Sequence, residues 1–277
     1  MLNSHFIKTT TLAIFIIGSV VKVSAQNTGE PLRDSFYDNV SMSQREVIPY
    51  DHIRQADVFY HKRVWRVIDV NEKLNLPFRY EGIDWRDLSP LIKILRDAAV
   101  SGEITVYNED NFKTVMSPQA VELFGAGVDT VPLTDLDGNY IGDTVIHNEF
   151  DPTRIHRYRI KEDWFFDEET STMQCRIMAI APIYTDPDLG DAPMFWCYYP
   201  GLREILIKQE VFNPVNDAMR LTWDDIFEMR MFSSYVIKES NVFDRSIKDY
   251  ATGIDALEES ESIKNKLFEF EHDLWSF

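Results

Sequence analysis

The chain has 277 residues and a formal net charge of −18, from 46 Asp and Glu against 28 Lys and Arg. So acidic a surface repels nucleic acid and anionic lipid, which argues against a nucleic-acid-binding module or a protein held on a membrane by charge. Aromatic residues make up 13%, enough for a large core or an extensive protein interface.

Residues 1–25 read as a signal peptide. Lys8 precedes an apolar run, Leu12–Val21, that is too short to span a bilayer comfortably, and Val23-Ser24-Ala25 supplies the small residues of a cleavage site. No cysteine follows the run, so no lipid anchor is expected, and no later segment is apolar enough for direct membrane insertion. Removal of the signal leaves about 250 residues, enough for a sizeable core.

Residues 26–49 are polar, lack periodicity and read as an extended N-terminal arm. Asp51 is placed to cap a helix through Ile53, Ala56 and Tyr60, before a less clear strand at Val64–Ile68. A helical turn is expected over Asn71–Leu76. Ser89-Pro90 opens a helix over Leu91–Val100 with Gly102 at its C-terminal position, and Ser117-Pro118 opens a shorter one towards Gly125. Ile104–Tyr107 lies between them as a strand, which makes a small α/β portion. Residues 127–153 read as loop and hairpin and as a possible sub-boundary. Asp135–Asn139 lacks the later ligands of a calcium loop, and a Gly-Asn turn is the better reading.

Residues 154–200 form the centre of the fold. Tyr158, Ile160 and Trp164 alternate with Arg157, Arg159, Lys161 and Asp163, the period of a half-buried strand. A polar turn at Asp167–Ser171 returns the chain as a second strand, Thr172–Ile183, with Met173, Cys175, Ile177 and Ala179 on one face. Met194–Tyr199 is the third. Gly201–Val211 and Trp223–Ser240 follow as helices, the latter opened by the capping pair Thr222 and Asp225. The stripe of Ile226, Met229, Ser233 and Ile237, widened by Phe227, Met231, Phe232 and Tyr235, makes that helix a core element or, alternatively, a partner surface. Residues 255–277 form an acidic amphipathic helix along Ile263, Leu267, Phe270 and Leu274.

Sites of chemistry are scarce. Glu162 and Asp163 stand beside aromatic residues but face opposite ways on a strand, so solvated edge charges are expected rather than a working pair. His5, His52, His61, His147, His156 and His272 show no metal-ligand spacing. No nucleophile elbow, phosphate loop or dinucleotide fingerprint occurs, so no catalytic residue, metal or cofactor is assigned. Cys175 and Cys197, on successive strands, are either a disulfide or two buried thiols.

Five strings, ADVFYHKRVWRVIDVNEKLNLP (56–77), RYRIKEDWFFD (157–167), VFNPVNDAMRLTWDDIF (211–227), FSSYVIKESNVFDRSI (232–247) and EHDLW (271–275), together resemble the GldN/PorN family of gliding-motility and type IX secretion proteins. The resemblance implies a non-enzymatic periplasmic ring subunit at the inner face of the outer membrane. Its implied partners are an outer-membrane lipoprotein of the GldK/PorK type, the periplasmic part of a GldM/PorM-type motor protein, and further copies of itself. The family carries no active-site residues to transfer.

The expected fold is α+β, an antiparallel sheet centred on 154–200 with C-terminal helices and a smaller α/β portion before it, residues 50–277 forming a single domain. A closed ring of one chain needs two different self-contacting surfaces. The arm and the aromatics Trp223, Phe227, Phe232, Tyr235 and Phe243 are the expected contributors. The alternatives are an exported hydrolase using Glu162 or Asp163, and a soluble ligand-binding protein with a sizeable cavity.

Overall fold

In the computed structural model, which describes residues 45–82, 88–124, 128–134, 140–147, 150–186, 190–216 and 218–275, the run Val58–Asp69 forms strand β1. Among the described residues a 3-10 turn, Gln55–Asp57, precedes it, and no helix follows Asp51 where one was expected. The reason is tertiary. Phe59, Tyr60, Val64, Val67 and Ile68 are good strand formers, and β1 has a partner on each side.

The other strands are β2 (Val106–Tyr107), the hairpin β3 (Val128–Thr134) and β4 (Tyr140–His147), β5 (Ile155–Asp167), β6 (Thr172–Asp186), β7 (Gly190–Pro193), β8 (Trp196–Tyr198), β9 (Glu210–Val211), β10 (Leu221–Thr222) and β11 (Tyr235–Glu239). Seven form one antiparallel sheet in the order β11-β1-β5-β6-β8-β2, with β7 also pairing β6. The long hairpin of β5 and β6 is its centre, as expected. The expected third strand shortens to β8, because Tyr199-Pro200 opens a helix rather than ending a strand.

The helices are α1 (Leu91–Ser101), α2 (Pro118–Leu123), α3 (Tyr199–Leu206), α4 (Trp223–Glu228) and α5 (Ile254–Trp275). Gly102 closes α1 at φ 79°, the left-handed conformation that glycine adopts without steric cost. The Ser117 hydroxyl accepts from the Ala120 N–H to cap α2. The fold is α+β.

The helix expected over 223–240 is two elements. Its start is right, since Thr222 and Asp225 form a capping box. It ends at Glu228, and Arg230 takes φ 53°. Ser233 then exchanges hydrogen bonds with the Asn75 amide, at 2.8 and 2.9 Å, and Tyr235–Glu239 pairs with β1. An open sheet edge and a β-favouring Tyr-Val-Ile run override the helical spacing.

A slip in the β5–β6 register between Lys161 and Glu162 leaves Met178 without a partner. This bulge changes the phase of β6. Ile177 and Ile180 join the main core, whereas Ala179 and Ala181 pack on the other face with Trp196. The expectation that Ala179 shares a face with Ile177 is corrected accordingly.

The main core lies between the first of these faces, α1, α3 and α4. It holds the ring cluster Phe78, Tyr158, Tyr199, Trp223 and Phe227, with Phe78 5.1 Å from Trp223 and 5.9 Å from Phe227 between centroids. Helix α5 seats Ile263 and Leu267 against Val64 and Val236. Its buried Ser260 hydroxyl accepts from the Val236 N–H at 2.9 Å.

Candidate functional site

On the second face of the sheet, the alternation of β5 sets Arg157, Arg159 and Lys161 in a row. The register places Arg159 between Val67 of β1 and Ala181 of β6, and Lys161 between Trp65 and Ala179. The two alanines are fully buried and pack with Trp196, against which Trp65, Tyr107 and Phe112 also pack. Trp65 and Trp196 flank the row. A cavity of about 720 Å³ opens above it, with Trp65, Val67, Arg157, Arg159, Ile183 and Trp196 among its lining. It continues over the edge strand β11 to the first turns of α5, at Ala256, Leu257 and Ser260. The loop Asn108–Asp110 also lines it.

The outer two cations of the row have acidic partners. Arg157 donates to Asp69 at 3.3 Å and to Asp191. Lys161 donates to the Asp110 carbonyl at 2.6 Å and lies 3.4 Å from its carboxylate, which also accepts from Trp65 Nε1 at 2.8 Å. Arg159 has no hydrogen bond or ion pair among the described residues, and its Nε is buried without a partner. Burial pulls the guanidinium pKa down, against the attraction of Asp110, Tyr235 and Asp191. An arginine stays charged under such a shift.

Glu162 and Asp163 do face opposite ways, but they are not solvated edge charges. Glu162 has no exposed surface. It accepts from Trp164 Nε1 and Arg230 Nη2, each at 2.9 Å. Asp163 takes a bidentate pair of bonds from Arg63, at 2.6 and 2.9 Å, with His61 3.4 Å away. Neither lines the large cavity. The period of two puts Glu162 with Tyr158, Ile160 and Trp164, so its burial was readable.

Both cysteines are free. Cys197 stands opposite Ile180, five residues along β6 from Cys175. At about 3.3 Å per residue this is well beyond the Cα separation a disulfide allows, about 7 Å. Of the two alternatives the structure has the two thiols, whose pKa values are pushed up by burial. Among the described residues no cluster of His, Cys, Asp and Glu has metal-site geometry, and no helix is long and apolar enough to cross a membrane. His147 lies in β4, while His5 lies outside the described residues.

The five aromatics expected at an interface divide. Trp223, Phe227 and Phe232 are core residues, 1%, 1% and 7% exposed. Tyr235 lines the cavity, and Phe243 is 73% exposed. Arg245 lies over the rings of both Phe243 and Tyr250. Val242, Phe243, Ile254 and Leu257 are exposed apolar side chains, and Leu257 also lines the cavity at its α5 end. Residues 135–139, the possible calcium loop, lie outside the described residues.

Residues 45–51, at the end of the expected arm, are tied to the body. Arg45 binds Asp225 bidentately at 2.6 and 3.1 Å. The Ile48 carbonyl accepts from Arg203 at 2.9 Å, and the Asp51 carbonyl from Arg176 at 2.8 Å. Tyr50 donates to Glu228 and stacks under the Arg203 guanidinium, 4.5 Å away. Arg203 is itself buried and paired with Asp224 at 2.9 and 3.1 Å.

The protein is α+β, with one sheet face in its core and the other opening a cavity lined by Arg157 and Arg159. The chain matches the family model described as Gliding motility associated protein GldN over residues 53–276. It belongs to that family. No curated protein matches the chain.

Proposed function

We propose that this gliding-motility protein is a non-enzymatic structural subunit of the type IX secretion and gliding machinery. It acts in the periplasm, against the inner face of the outer membrane. Copies assemble into a large ring with an outer-membrane lipoprotein of the GldK/PorK type, and the ring couples to the periplasmic part of a GldM/PorM-type motor protein. The observation that carries this reading is the family match over nearly all of the described residues. The leader-like residues 1–25 and the exposed apolar side chains of Phe243 and Leu257 support it.

The size of the native particle in gently solubilised envelopes tests it, with co-purifying proteins identified by mass spectrometry. A megadalton particle containing an outer-membrane lipoprotein is expected. A monomer of the mass of the single chain, reproducibly without partners, would overturn the scaffold reading.

One observation favours a second reading. The cavity over Arg159 falls within the size range of small-molecule sites, as a periplasmic ligand-binding protein requires. A small carboxylate bound in the cavity of the purified chain, with no particle in the envelope, would select it. The hydrolase alternative gains no such support, since Glu162 and Asp163 are held in separate ion pairs.

A further inference from the structure

We propose that the cavity over Arg159 is a receptor for an acidic side chain of a partner protein, presented on an extended segment beside an apolar or aromatic residue. The inference rests on the scaffold reading and names the chemistry of one of its contacts.

The row Arg157, Arg159, Lys161 shows which charge is missing. Its outer members are matched by Asp69 and Asp191 on one side and by Asp110 on the other. The middle guanidinium is unmatched among the described residues, and its Nε is buried without a partner. A planar fork with unused donors fits a carboxylate bidentately. Burial makes the vacancy costly, because water cannot fully replace the missing bonds at the buried Nε.

The walls define the rest of the ligand. Trp65 presents half-buried aromatic surface beside the row, whereas Val67, Ile183 and Trp196 line the cavity with less than 5% of their surface exposed. A carboxylate alone would leave the Trp65 face uncovered. A peptide carrying an aromatic next to its acid would cover it and reach the rim at Leu257, which is 61% exposed. The other charged groups lining the cavity are Glu109, Asp110, Asp191, Lys238 and Lys248. Asp110 and Asp191 are engaged as described, and Lys238 pairs with Asp244 at 2.6 Å. Lys248, in the short turn before α5, and Arg159 are the lining cations without an ion pair among the described residues, and of the two only Arg159 stands in the row on the sheet and offers a planar fork.

The test is calorimetric titration of the folded chain with the acetylated, amidated pentapeptide Gly-Phe-Asp-Phe-Gly, and with the same peptide carrying Asn for Asp. Binding of the Asp peptide is expected, weakened at least tenfold by Asn, and reduced by added salt. Arg159→Met should abolish the difference between the two peptides. Lys93→Gln, on α1 and away from the cavity, should leave it unchanged. Should Arg159→Met fail to fold, Arg159→Lys serves instead, with an intermediate loss because the ammonium lacks the fork. Failure of the Asp peptide to bind, or binding indifferent to Arg159, overturns the proposal. So does phenylacetate binding at Arg159 as tightly as the peptide, which would assign the cavity to a free small acid. Particle size in the envelope is a separate readout. Peptide binding without a particle sinks the scaffold reading alone, and a particle that forms equally with Arg159→Met sinks this contact alone.

Discussion

At the scale of single residues, Arg159 and Glu162 illustrate opposite treatments of charge drawn out of water. Arg159 is a half-buried cation without a partner among the described residues, so replacing it removes a desolvation cost and leaves no orphan. Arg159→Met is expected to stabilise the isolated chain by about 1 kcal/mol, read as a higher denaturation midpoint with unchanged slope. Unchanged or lower stability would mean that the guanidinium has a stabilising role of its own. Glu162 is an anion with a partner, and the expected cost of removing that partner is large. Arg230→Met would strand a carboxylate that has no exposed surface, and should destabilise by about 3 kcal/mol in equilibrium unfolding. The pair Arg230→Met with Glu162→Leu should recover most of that loss, since a well-packed apolar pair costs less than a broken ion pair. Both side chains were placed by one rule, the alternation of β5. That rule put Arg159 on the polar side, but it could not reveal that this side opens into a cavity, because the cavity's walls come from β8, β11 and α5, distant in sequence.

At the scale of elements, the sequence showed its local signals faithfully and its non-local ones poorly. The capping box at Thr222, the left-handed Gly102 and the hairpin turn before Thr172 rest on neighbouring residues, and each stands where read. The helix over 223–240 failed because its second half is decided by pairing with β1, and a strand-forming Tyr-Val-Ile run is also compatible with helical spacing. The phase of β6 failed because Met178 has no signature that marks it as a bulge. The arm boundary is also non-local. Nothing within residues 45–49 predicts the ties to Asp225 and Arg203.

Those ties carry a pH dependence. Burial raises the Asp225 pKa, but the bonds from Arg45 and from Thr222 outweigh it and hold the pKa below the usual carboxylate range. A depressed carboxylate pKa contributes stability that is present in full above the unfolded value, about 3.9, and is lost as pH falls through the folded value. Hydrogen exchange over residues 45–51 should therefore accelerate as pH is lowered from 5 through this window, once corrected for intrinsic rates. Arg45→Gln should bring much of that loosening to neutral pH while sparing the capping box. Protection in Arg45→Gln equal to wild type across the range would show that Arg203 and Arg176 hold the segment unaided.

At the scale of the whole molecule, the ring reading requires two surfaces that differ, one giving and one receiving. Three of the five aromatics expected to supply them are in the core, so the choice narrows to what is exposed. Leu257 lines the cavity's α5 end and Phe243 is 73% exposed, and exposed apolar side chains of this kind favour protein contact. The arm needs a narrower definition, because deletion of residues 26–49 would also remove Arg45 and Ile48 and so confound assembly with the integrity of the body. Deletion of 26–44 is the cleaner cut. It should leave the unfolding midpoint of the chain unchanged, and loss of the particle in the same strain would then assign the arm to assembly. Phe243→Ser combined with Leu257→Glu provides the complementary measurement, since both side chains are exposed and their replacement should shift stability by less than about 0.5 kcal/mol. A smaller particle, or a loss of co-purifying partners, is expected from that double variant. If the particle is intact with both the arm deleted and the rim made polar, assembly must run through surfaces other than these, and the second face of the sheet would serve a ligand rather than a neighbour.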